Sequence, residues 1–118
     1  LKGRRVAKGV RMIATPASRN VYLQAAREGL IEAFTAAGAS FEAAGCGTCV
    51  NITGHLITGD GDVVISSANR NFKGRLGNAN SEIFLGSAAT VAASALTGRI
   101  TDPRTVDGGT WRPVSRAA

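Results

Sequence analysis

Three short apolar runs constrain the fold of this chain more than anything else in it: VRMIAT at 10–15, VVISSA at 63–68 and EIFLG at 82–86. Each is bounded by proline, glycine or acidic turn residues, and each has the length of a strand buried on both faces. Helical spacing appears between and after them. Behind Ser18, a natural cap, Leu23, Ala26, Leu30, Phe34 and Ala37 recur on one face, widened by Ile31. That pattern predicts one helix over 19–37, stopped by Gly38. ASFEA (39–43) reads as a short strand leading into a cysteine loop. Ser87 caps a second helix with Ala88, Val91, Ala92, Ala95 and Leu96 inward, and Gly98 ends it. Strand, helix, strand, strand and helix with glycine-rich connections predict an α/β fold, three layers αβα around a largely parallel sheet. Residues 1–104 are expected to form the domain, and 105–118, which lack periodicity, a loosely ordered tail.

A length of 118 residues suits one core and is too short for two. No apolar run reaches the ~18–20 residues needed to cross a membrane. The start, LKGRRVAKG, is basic without a following apolar region, so no signal peptide is expected. It also lacks an initiator Met, which suggests a processed product or an excerpt of a longer chain. The formal charge of +6 is scattered over Lys2, Arg4, Arg5, Lys8, Arg11, Arg19, Arg27, Arg70, Lys73 and Arg75. Aromatic side chains do not interleave with these, which argues against a stacking platform for nucleic acid. A small anionic ligand would be served by a few convergent arginines.

The only two cysteines, Cys46 and Cys49, lie in AAGCGTCVN (43–51). A redox pair would sit at a helix N-terminus after the first strand, and this one follows a helix and a weak strand. A zinc site wants four ligands, and His55 is the only histidine. Plain packing of two small residues is a third reading. The flanking glycines permit close backbone approach and N–H donation to sulfur. Without a secretory signal, the pair favours a reducing, cytoplasmic setting. His55 is assigned no role, and Asp60 and Asp62 in GDGD read as turn-formers. A second motif, SSANRNFKGR (66–75), sets Asn69, Arg70, Asn71 and Arg75 within one loop. It is either a solvated loop or, with Phe72 as an apolar anchor, a frame aiming two guanidinium groups at one anion.

GCGTC followed about twenty residues later by SANRNFKGR, then by GSAATVAASALTGRITDPR (86–104), resembles the aconitase superfamily. The likeness is closest to the large-subunit branch that holds the 3-isopropylmalate dehydratases, homoaconitases and dimethylmalate dehydratases. It extends upstream through residues 1–39 and so covers the chain to Arg104. The resemblance implies the C-terminal portion of an iron–sulfur domain whose [4Fe–4S] cluster rests on three cysteines and leaves one iron open. Cys46 and Cys49 match the paired ligands, Asn69 would sit beside the cluster, and Arg70 and Arg75 would serve catalysis by binding substrate carboxylates. The family's first cluster cysteine, in a Ser-Cys-Thr-Asn segment, is absent from this chain and would fall upstream of Leu1. The family's catalytic serine lies on a swivelling domain, carried in the two-subunit members by a small subunit. The implied whole is a heterodimeric hydro-lyase for a hydroxy-dicarboxylate or tricarboxylate such as 3-isopropylmalate, in leucine biosynthesis. The isolated chain, lacking upstream segment and small subunit, is expected to hold no stable cluster and to be inactive. The competing expectation is a non-catalytic α/β fragment that binds a partner.

Overall fold

The computed structural model describes residues 1–49 and 57–109, with the backbone alone at Cys49 and at 107–109. In chain order these form strand β1 (Ile13–Ala14), helices α1 (Arg19–Arg27) and α2 (Leu30–Ala37), and strand β2 (Ser40–Phe41). A 3₁₀ turn at Gly47–Cys49 follows, then strands β3 (Val63–Ser66) and β4 (Glu82–Leu85), helix α3 (Ala88–Thr97), and a 3₁₀ segment at Pro103–Gly109. The fold is α/β and both strand pairs are parallel. Ile13 lies opposite Ser40, and Val63 opposite Glu82. Among the described residues the strands form two separate two-stranded ladders, β1–β2 and β3–β4.

Local chemistry sets the helix ends. Ser18 Oγ accepts from the Val21 amide at 3.2 Å, and Ser87 Oγ accepts from the Thr90 amide at 3.1 Å. Gly38 and Gly98 close α2 and α3 in the left-handed conformation. The single helix expected over 19–37 is instead two. Gly29, at φ +72°, turns the chain between them, while the apolar stripe continues across the break. Tyr22 and Phe34 then pack their rings on Phe41, at centroid distances of 5.7 and 5.5 Å, and so seat α1 and α2 on β2. The strands are shorter than their apolar runs. Ser66 Oγ accepts from the Ala68 amide at 3.1 Å and bends the chain out of β3.

The buried apolar set is small: Ala25, Ala37, Ala39, Leu76, Ala93 and Ala95. Val63, Phe84 and Leu85, expected inside a buried sheet, are exposed. Beyond α3, order comes from hydroxyls and one carboxylate. Ser94 Oγ accepts from the Thr101 amide at 3.0 Å. Asp102 accepts from the Arg104 amide at 2.9 Å and meets its guanidinium at 2.6 Å. These bonds hold Asp102 down to about 2 from the usual carboxylate range. Because the folded value lies below the unfolded one of about 4, the contribution is complete above that value and is lost as pH falls through 2. NMR titration should find the Asp102 midpoint near 2, and Arg104→Ala, which removes the guanidinium and keeps the backbone amide, should raise it toward the ordinary range. An ordinary midpoint in the unsubstituted chain would refute the pairing.

Candidate functional site

The cysteine turn is built at the carboxyl ends of β1 and β2. The Gly45 amide donates to the Pro16 carbonyl at 3.1 Å, tying the turn to the end of β1. Gly47 has φ +56°, and a Cβ placed there would lie 2.6 Å from Thr15 Oγ1 and 2.9 Å from Thr15 Cβ. Only glycine fits, because both the backbone conformation and the space exclude a side chain. The Cys46 thiol is free and exposed. It borders a hollow of about 210 Å³ with Ile13, Thr15, Glu42, Gly45 and Gly47. Cys49 follows in the 3₁₀ turn. An accessible thiol on a glycine-lined turn presents its sulfur and nearby amides to an incoming group without a covering side chain.

The second motif leaves β3 directly. Asn69 and Arg70 are exposed and Arg75 is half-buried. Phe72 does not anchor the loop as expected: its ring is 63% exposed and carries the Arg75 guanidinium 5.5 Å above its centroid. The anchor is Leu76, 5% exposed, whose carbonyl accepts from the buried Thr58 hydroxyl at 3.2 Å. Thr58 in turn reaches Ser81 Oγ at 3.1 Å, so the far side of the loop is pinned by hydroxyls. Asn71 keeps a buried side-chain nitrogen with no hydrogen-bond partner among the described residues. Asp60 accepts from Asn78 and Asn80 at 2.9 and 3.1 Å, which holds its carboxyl below the usual range. Asp62 accepts from the Gly59 amide at 2.7 Å. Both aspartates act as turn-formers.

The two motifs approach each other through their stems. Thr48 of the cysteine turn and Ser66 and Ser67 at the root of the arginine loop border one groove of about 430 Å³. Cys46 lies at the smaller hollow, and Arg70 and Arg75 border neither. The close backbone approach expected of the flanking glycines is found at Gly47, but its partner, Thr15, escaped the reading of the sequence. The available signal was a threonine ending an apolar run just before proline. His55 lies outside the described residues. Among the described residues no three His, Cys, Asp or Glu side chains are placed to hold a metal, and the chain has two cysteines in all. The donor set therefore fits a multi-thiolate iron–sulfur group only in part: a free, glycine-flanked thiol is on offer at Cys46, and the described residues assemble no set of three donors around it.

A family model described as the aconitase family (aconitate hydratase) matches residues 1–98. A 3-isopropylmalate dehydratase large subunit 2 of Archaeoglobus fulgidus is 59% identical over 104 residues, covering 88% of this chain and 25% of that protein. The 3-isopropylmalate dehydratase large subunit of Elusimicrobium minutum is 51% identical over 106 residues, 90% of this chain and 25% of its own length. Large subunit 1 of Thermotoga maritima is 55% identical over 96 residues, 80% and 22% respectively. The chain thus spans about a quarter of the length of these curated relatives.

Proposed function

The chain belongs to the aconitase family, and on that premise we propose that it forms part of an iron–sulfur hydro-lyase acting on a hydroxy-dicarboxylate or tricarboxylate of the 3-isopropylmalate kind. The observation that carries this reading is the exposed Cys46 thiol on a glycine turn at the strand ends. The arginine loop follows in the order seen at the sequence level.

In this reading Cys46 and Cys49 would hold a [4Fe–4S] cluster together with a third cysteine from outside these 118 residues. When bound, the cluster supplies a Lewis acid that loosens a carbon–oxygen bond. Asn69 would sit beside the cluster. Arg70 and Arg75 grip substrate carboxylates with planar forks, orient them, and oppose the negative charge that builds beside a carboxylate during elimination. A serine on a small, swivelling subunit acts as the base. Among the described residues no helix is long and apolar enough to cross a membrane, and the proposed setting is the reducing cytoplasm.

The test places this chain in the Archaeoglobus fulgidus relative in exchange for its matched segment, together with a small subunit, under anaerobic iron and sulfide reconstitution. A cluster absorption band and 3-isopropylmalate turnover are expected from the assembly, and neither from the 118 residues alone. An assembly that folds but takes up no cluster refutes the reading.

A further inference from the structure

The groove of about 430 Å³ lies between the edges of the two ladders. Val10–Ile13 form one bank and Val63–Ser67 the other, and β2 and β4 do not border it. Helix α3 spans both banks. Its Ala95 carbonyl accepts from the Ala7 amide at 2.8 Å on the β1 side, and Val91, Ser94 and Ala95 floor the groove.

Ladder bonds show which backbone groups are spent. The Met12 and Ala14 carbonyls accept from the Ser40 and Glu42 amides, each at 2.9 Å. In a parallel pair, alternate residues turn both their backbone groups to the same side. The N–H and C=O of Ile13 therefore point away from β2. Likewise the Asp62 and Ser66 carbonyls accept from Glu82 and Gly86 at 2.8 and 3.0 Å, which turns Val63 and Ile65 away from β4. No hydrogen bond among the described residues engages these groove-side groups. Backbone donors and acceptors in a folded core are almost always paired, and an open strand edge pairs readily with an extended segment.

We propose that the groove receives one extended strand from the polypeptide outside these 118 residues, hydrogen-bonded to Ile13 on one side and to Val63 and Ile65 on the other. It joins the described strands into one sheet over α3. Relatives of this family carry about three quarters of their length outside the matched region, which supplies the segment. A strand set between two parallel ladders and above Val91 and Ala95 buries the face it turns to α3, so the alternate residues on that face are expected to be apolar. The proposal concerns the fold and stands apart from the chemistry of the cysteine turn.

Amide hydrogen exchange tests it, in the isolated chain and in the chain exchanged into the Archaeoglobus fulgidus relative. The amides of Glu82 and Gly86, bonded within β3–β4, serve as internal references. Exchange at Ile13, Val63 and Ile65 is expected to be fast in the isolated chain and at least ~100-fold slower in the longer protein. Should the exchanged protein not fold, the aligned positions of the intact relative are read instead. Fast exchange at all three beside protected reference amides in the longer protein overturns the proposal. So does protection already present in the dilute isolated chain, which would put the occupant within it. Protection that appears only as the isolated chain is concentrated assigns the groove to a second copy and overturns it equally.

Discussion

Gly47→Ala is expected to reduce cluster content in the reconstituted assembly to less than a tenth. Two costs add. A left-handed backbone at φ +56° costs an alanine ~1–2 kcal/mol. The new Cβ would also overlap Thr15 Oγ1 and Cβ, at 2.6 and 2.9 Å, both atoms fixed close to the β1 backbone. Relief requires the turn to move, and Cys46 moves with it. Since ~1.4 kcal/mol is a tenfold change in an equilibrium, the conformational cost alone gives a loss of roughly five- to thirtyfold, and the overlap adds to it. Thr15→Gly in the same background removes all three crowded atoms and should restore part of the cluster, leaving the conformational share. Iron and sulfide content per chain is the measurement. Wild-type loading of Gly47→Ala would show that the turn does not need this geometry.

Arg75→Lys should lower kcat/KM of the assembled enzyme by ~10²–10³, the cost of losing one preorganised donor to developing charge. Lysine keeps the charge and loses the fork, together with the flat face that lies over Phe72. The fold should be indifferent, because the loop is held by Leu76 and the Thr58–Ser81 hydroxyls. Unchanged circular dichroism and cluster content beside the lost turnover is the expected pattern. Activity within tenfold of wild type would remove Arg75 from the carboxylate site.

What could be read from residues alone followed the range of the forces involved. Ser18, Gly38, Ser87 and Gly98 were legible because capping is settled within a few residues. Parallel strands were legible from short apolar runs. The break at Gly29 was not, since the apolar stripe runs through it unchanged and only the backbone angle reveals it. Phe72 misled because an apolar ring in a polar loop suggests an anchor, whereas here it carries a guanidinium. The exposure of Val63, Phe84 and Leu85 was illegible in principle, because what covers a sheet is a property of neighbouring elements. At the site, motif order pointed to Cys46 and the arginine loop. The close approach of Gly47 to Thr15 joins positions more than thirty residues apart and needs coordinates.

The staple from the Gly45 amide to the Pro16 carbonyl has a consequence for biogenesis. It ties the cysteine turn to the end of β1 through the backbone itself. In small zinc modules the metal drives folding and arrives first. Here backbone contacts already hold the segment that carries the exposed Cys46 thiol, so on the proposed reading the turn is formed before a cluster is bound. On that reading, cluster insertion would follow formation of the turn and would not direct it.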